Sequence, residues 1–186
     1  MSKKNVILDL DETLLNAQEK DRFNFRKYSD KLLKHDWHEM DGYYIIFERP
    51  NLQEFLDWLF ENFNVSVFTA ASKDYAIFIV NNIIMTPSKP ERKLDYLLFS
   101  YHVEHGKKIN NNQNSMKDLS MLWNTYKMPG YNQDNTVIID DYNEVYKTNT
   151  KKGNKCYKIK PFNVKSKQST KDSELLKVKE YLEEWK

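Results

Sequence analysis

The stretch NVILDLDETLL, residues 5–15, constrains this chain's fold more than any other. Val6, Ile7, Leu8 and Leu10 form a short apolar run, the pattern of a strand buried on both faces. Such strands belong to parallel sheets covered by helices. The run ends in Asp9, Asp11 and Glu12. Acids at the end of a buried strand are costly unless something compensates their charge.

The rest of the chain repeats the theme. Candidate strands follow at 43–48, 65–70, 96–103, 136–140 and 155–160, and helices fit between most of them. Leu52, Phe55, Leu56, Leu59, Phe60 and Phe63 share one helical face, with Pro50 suited to the first turn. Ser72 fits the N-cap of a second helix. Ser115 opens a third, with Asp118 in a capping-box-like position, which puts Lys117 in its first turn. A last helix over about 172–185 buries Leu175, Leu176, Val178, Leu182 and Trp185. Strands alternating with helices predict an α/β layered fold with a mainly parallel sheet. At 186 residues, one domain over 1–186 accounts for the chain.

Residues 14–48 fit the alternation least. They are rich in aromatics and carry a turn at MDGY. They predict an insertion after the first strand, a small hairpin with a short helix. Its aromatics either cover the core or line a substrate groove, with Tyr43, Tyr44 and Phe47 as the candidates.

Parallel α/β sheets bind ligands beyond the carboxyl ends of their strands. Asp9, Asp11, Thr69, Asp140 and Asp141 all fall at or just past those ends. Hydrolysis of a phosphate monoester needs a nucleophile, a proton donor and positive charge around the phosphoryl group. Asp9 can attack phosphorus. Asp11 can protonate the leaving oxygen and then activate water. Mg²⁺, which takes octahedral oxygen ligands, suits Asp9, Asp140 and Asp141. Lys117 supplies further positive charge, and the Thr69 hydroxyl a hydrogen bond to a phosphate oxygen. Thr13 is expected to bond backbone near Asp9. A bound cation explains why the opening acids are tolerated. The alternative for DLDET alone is a pair of loop acids capping a turn.

Other classes fit less well. One cysteine, Cys156, allows no intramolecular disulfide, and a reducing compartment is expected. Cys156 also lacks the arginine of a C-x5-R phosphatase, since position 162 is Phe. His35, His38, His102 and His105 show no metal-binding spacing. No apolar run has the length of a membrane span, and the N-terminal residues reach acids before a signal-peptide core could form. The chain is therefore expected to be soluble, cytoplasmic or nuclear rather than secreted. The net charge of +2 names no partner, but residues 145–171 hold nine lysines and no acid. That run reads either as solvated loops or as a basic approach to an anionic substrate.

At these residues the chain resembles the haloacid dehalogenase (HAD) phosphatase superfamily. Within it, the chain is more similar to the phosphatases of the RNA polymerase II C-terminal domain (CTD) and the NLI-interacting-factor-like small CTD phosphatases. LDLDETLL resembles their D-x-D-x-T-L signature, and FERPNLQEFLDWL their R-P-x-x-x-E-F-L segment. VSVFTAASKDYA, MKDLSML and VIIDDYNEVY resemble three further motifs in the same order. The resemblance implies an HAD-like Rossmannoid three-layer fold. It implies Asp9 as nucleophile, Asp11 as acid/base and backbone-carbonyl metal ligand, Thr69 and Lys117 as phosphate ligands, and Asp140 and Asp141 at the metal. It also implies a peptide pocket in the insertion.

Two positions depart from the pattern. Asp141 stands where the family often has Asn. The segment LLFSYHVEHGKK lacks the arginine of the small CTD phosphatases and offers Lys107 or Lys108 instead. The leading expectation is a Mg²⁺-dependent phosphoserine/phosphothreonine phosphatase, monomeric, acting on a phosphoprotein through a proline-containing phosphopeptide. The alternatives are an HAD phosphatase for nucleic-acid ends or small phosphate monoesters, and a catalytically silent phosphopeptide-binding module. A phosphoacceptor receiver domain does not fit the order of the acids.

Overall fold

The computed structural model describes residues 3–186; Met1 and Ser2 lie outside them. Five parallel strands form the central sheet: β1 (Asn5–Leu8), β5 (Asn64–Phe68), β6 (Leu94–Leu98), β7 (Thr136–Asp140) and β8 (Lys155–Lys158). Their spatial order is β6-β5-β1-β7-β8, with β1 at the centre. Every residue of β1 is buried: Val6, Ile7 and Leu8 as an apolar run requires, and Asn5 with its side-chain amide donating to the Gly130 carbonyl and Asn135 Oδ1.

Strand alternation sends Val6 and Leu8 to one face and Ile7 to the other. Val6 and Leu8 join Val65, Val67, Val137 and Ile139 in a core with three helices. These are α2 (Leu52–Asn62), α3 (Lys73–Ile79) and α7 (Glu174–Trp185). Ile7, Phe68 and Ile138 meet α4 (Ser100–Ile109), α5 (Ser120–Asn124) and α6 (Asn143–Thr150) on the other face. The architecture is a three-layer α/β fold around a parallel sheet, as the sequence predicts.

Several local expectations change. The strand expected over 96–103 ends at Leu98, and helix α4 begins at Ser100. The His102 ring turns back to accept the Phe99 N–H at Nδ1, 3.1 Å away, and Val103 enters the second core. Packing thus overrides the strand propensity of that aromatic segment. The helix expected from Ser115 is only α5. Lys117 has φ 45°, so it sits in a left-handed loop rather than in a first helical turn. The last helix leaves Leu176 47% exposed, while Leu175, Val178 and Leu182 are buried. The strand expected over 155–160 stops at Lys158.

The region after β1 is more elaborate than a hairpin. Strands β2 (Leu15–Glu19), β3 (Trp37–Met40) and β4 (Tyr44–Glu48) form an antiparallel sheet in the order β2-β4-β3. A short helix, α1 (Ser29–Lys34), lies between β2 and β3. Phe23, Ile45 and Phe47 pack beneath it with Phe162 and Val164 from the loop after β8.

Arg49, at the end of β4, ties this region to the sheet. Its guanidinium forks onto Asp172, with Nε donating to Oδ1 at 2.7 Å and Nη2 to Oδ2 at 2.9 Å. It also donates to the carbonyls of Thr13 at 2.8 Å and Lys160 at 2.7 Å. Arg49 is fully buried, and the Asp172 side chain is 14% exposed. Arg49→Met should destabilise the fold by about 2–3 kcal/mol, below the roughly 3–5 kcal/mol of a fully buried broken pair because water reaches Asp172. Urea denaturation measures it; a change below about 0.5 kcal/mol would contradict the role given to Arg49.

Candidate active site

Register brings scattered acids together. Leu8 pairs with Val67 on one side and Ile139 on the other. The next residues, Asp9, Phe68 and Asp140, therefore share the carboxyl edge of the sheet, and Thr69 follows Phe68. Asp9 is anchored there by its N–H, which donates to the Ile139 carbonyl at 3.0 Å.

Lys117 is the hub. Its Nζ donates to Asp9 Oδ1 at 2.5 Å and to Asp140 Oδ2 at 2.6 Å. All three side chains are buried. Burial alone would push the ammonium toward neutrality. The charges of Asp9 and Asp140 outweigh it and hold the Lys117 pKa above the ordinary lysine value. The left-handed backbone that aims Lys117 is clamped by Asn149 of α6, also fully buried. Its Nδ2 donates to the Lys117 carbonyl at 3.0 Å, and its Oδ1 accepts from the Leu119 N–H at 2.9 Å.

Asp140 is pushed up to about 7 by burial and then by the Asp9 charge, against Lys117. Asp141 rises to about 6 from burial, Asp9 and Glu12. Asp11 also rises to about 6, chiefly from burial. These are the shifts expected of carboxylates crowded at one edge.

Thr13 differs from expectation in one respect. Its hydroxyl meets carboxylates rather than backbone, lying 3.3 Å from Asp9 Oδ2 and 3.3 Å from Asp141 Oδ1. Thr69 is buried, and its Oγ1 accepts from the Ala71 N–H at 3.0 Å. A hydroxyl that accepts there still has a proton to donate.

Among the described residues, Asp9, Asp140 and Asp141 each offer a carboxylate oxygen within 4.8 Å of the others. An all-oxygen, anionic donor set of this kind fits Mg²⁺ better than a softer metal. The Asp11 side chain stands apart from that group: its Oδ1 accepts from the Tyr75 hydroxyl at 2.6 Å.

Asp11 and Tyr75 belong to the wall of a groove of about 390 Å³ whose surface is more apolar than polar, together with Ala17, Met40, Tyr44, Ala71, Ser72 and Asp74. Tyr44 is thus in the groove wall. Tyr43 lies in the turn before β4 and is 73% exposed. Phe47 corrects the sequence reading: it is fully buried against Phe23 and Phe162 and lines no surface. Tyr44 and Phe47 are three residues apart on one strand, so alternation puts them on opposite faces.

The lysine-rich segment is less free than its composition suggests. Lys147 pairs with Glu144 at 2.7 Å and Lys152 with Asp118 at 2.6 Å, and Lys158 donates to Asn143 Oδ1 at 2.8 Å. Lys107, offered in place of the missing arginine, pairs with Glu104 at 2.7 Å. It lies seven residues along α4 from Ser100, so about 10 Å along the helix axis from its start. Cys156 packs against the second core, and burial pushes its thiol up to about 12. No helix among the described residues is long and apolar enough to cross a membrane.

The chain is similar to known proteins over most of its length. Residues 4–186 match the family described as NLI interacting factor-like phosphatase. A CTD phosphatase-like protein, 355R, of Invertebrate iridescent virus 6 is 39% identical over 180 residues, covering 96% of this chain and 97% of the viral protein. Among solved structures, Fcp1, an essential RNA polymerase II CTD phosphatase, superposes with a TM-score of 0.59 at 20% identity. The match covers 98% of this chain and 51% of that one, so this chain spans about half its length. An HAD-family enzyme from Bacteroides thetaiotaomicron, solved with magnesium and inorganic phosphate, gives a TM-score of 0.55 at 14% identity, covering 87% of this chain and 96% of the enzyme. At those identities the structural likeness establishes the shared HAD-like fold.

Proposed function

This chain belongs to the NLI interacting factor-like phosphatase family, and we propose that it hydrolyses phosphoserine or phosphothreonine in a protein, with an extended peptide seated in the groove beside Asp11. One observation carries the substrate class: the carboxyl group suited to protonate the leaving oxygen is itself part of a groove wall that is more apolar than polar. A leaving group at Asp11 thus has apolar surface next to it, which suits side chains such as proline flanking a phosphoresidue. The CTD phosphatase names of the relatives support the same reading.

In this mechanism an Asp9 carboxylate oxygen attacks phosphorus while the bond from phosphorus to the substrate oxygen breaks. Asp11 gives that oxygen its proton. Asp11 then removes a proton from water, which attacks phosphorus and releases Asp9 and inorganic phosphate. Lys117 and Thr69 hold the phosphoryl oxygens. Asp9, Asp140 and Asp141, with the Asp11 backbone carbonyl, would hold Mg²⁺, which supplies positive charge against the phosphoryl oxygens.

The test compares catalytic efficiency on a proline-flanked phosphoserine peptide, a 3′-phosphorylated oligonucleotide and a sugar phosphate, with Mg²⁺ and after exhaustive chelation, over a salt series. The peptide should be preferred by about tenfold or more, only with Mg²⁺. Tyr44→Ala should raise its KM about threefold to tenfold, the loss of roughly 1 kcal/mol of aromatic contact. Faster, salt-sensitive turnover of the oligonucleotide, indifferent to Tyr44, would move the substrate to nucleic-acid ends and leave the phosphatase chemistry standing.

A further inference from the structure

We propose that Tyr75 is a positioning residue for the acid/base step: by donating to Oδ1 of Asp11, it leaves Oδ2 as the oxygen that carries the proton to the leaving group. The inference rests on the reading of Asp11 as acid/base, and it concerns which of that carboxyl's oxygens acts.

The geometry is specific. The Tyr75 hydroxyl lies 2.6 Å from Asp11 Oδ1, across 64 residues of chain. Tyr75 itself is held on three sides. Its N–H donates to the Ser72 hydroxyl that caps α3. Its ring meets the Tyr44 ring edge to face, with centroids 5.8 Å apart. Only 8% of the residue is exposed. A phenol fixed this way cannot follow a carboxyl group that rotates, so it selects one orientation of that group.

A neutral carboxylic acid has one oxygen that carries the proton and one that can only accept. An oxygen already accepting a short phenolic hydrogen bond is the poorer place for the proton. With Oδ1 engaged, the proton sits on Oδ2. Among the described residues no hydrogen bond engages Oδ2, and no buried side-chain oxygen lacks a partner. Oδ2 is therefore open to solvent and free to meet a substrate oxygen. After transfer the carboxylate keeps the Tyr75 hydrogen bond, so the group that next activates water is held in the same place. Tyr75 also joins two parts of the site, since the ring that walls the groove carries the hydroxyl that orients the acid. A peptide seated in the groove would shield this bond from water.

The test exploits leaving groups. Phosphoserine peptide and β-glycerol phosphate release alkoxides, which need a proton. 4-Nitrophenyl phosphate releases a phenolate, which scarcely needs one. Tyr75→Phe keeps the ring and removes only the hydroxyl. In kcat/KM, which reports the steps through cleavage of the ester, this variant should fall about 30-fold on both alkyl esters, a part of the roughly 10²–10⁴-fold that general acid catalysis contributes. On the aryl ester it should fall only about threefold. In an Asp11→Asn background, adding Tyr75→Phe should change the alkyl rates less than about threefold, because its route of action is gone.

Equal losses on alkyl and aryl esters, or full additivity with Asp11→Asn, would overturn the proposal and leave Tyr75 a packing residue. An unchanged alkyl rate would do the same. A wild type that rejects the peptide but cleaves glycerol phosphate would overturn the peptide reading alone, and the ratio of alkyl to aryl losses would still decide the role of Tyr75.

Discussion

Asp9→Asn should abolish turnover, by roughly 10⁴-fold or more, on every phosphate monoester the wild type accepts. The size follows from the position of the residue. Asp9 offers one oxygen to Lys117 and the other toward Thr13, and it lies with Asp140 and Asp141 in the carboxylate group suited to a metal. An amide there keeps the shape and removes the carboxylate oxygen proposed to attack phosphorus. The same variant should form no acid-stable phosphoenzyme and take up no beryllofluoride, which mass spectrometry and fluorine NMR detect. The fold should stand, because Lys117 keeps Asp140 as its partner at 2.6 Å. Circular dichroism with an unchanged melting profile separates loss of chemistry from loss of structure. Turnover within tenfold of wild type would remove the aspartate mechanism altogether.

The sequence made the edge of the sheet legible and left its finer geometry hidden. An apolar run closing in Asp9 is readable because a buried parallel strand has few other appearances. Thr69 and Asp140 follow from the same rule applied to β5 and β7, since ligand sites gather past the carboxyl ends of such strands. Lys117 was readable as a charge but not as a loop. Its left-handed backbone depends on Asn149, 32 residues away, whose amide replaces the bonds a helix would have made. Local propensity carries no trace of that clamp. The groove was readable only as a region of aromatics. Period-two alternation separates Tyr44 from Phe47, and applying it to the strand expected at 43–48 would have assigned Phe47 to the opposite face. Tyr75 had a visible place at the start of a helix, but nothing local connects it to Asp11. Arg49 likewise looks like any charged residue before a proline until Asp172 closes on it.

The charge balance at Lys117 gives the other large expected effect. Lys117→Met should destabilise the protein by about 3–5 kcal/mol in metal-free buffer, the range for removing one partner of a buried ion pair. The ammonium is the shared donor of Asp9 and Asp140, and Asp140 is fully buried. Without it two carboxylates face each other in a site that already disfavours charge, as the upward displacement of Asp140 to about 7 shows. A divalent cation bound by Asp9, Asp140 and Asp141 would restore part of that missing charge. Mg²⁺ should therefore raise the melting temperature of Lys117→Met more than that of the wild type, since a ligand stabilises in proportion to how tightly the folded state holds it. Activity should stay lost in both conditions, because the metal does not replace the hydrogen bond that Lys117 is proposed to give the phosphoryl group. Thermal unfolding of both proteins, with and without Mg²⁺, measures the difference. An equal Mg²⁺ shift in the two would mean that lysine and metal do not answer the same carboxylates. A variant as stable as wild type without metal would mean that the acids shed their charge on folding, leaving Lys117 with phosphate binding as its main role.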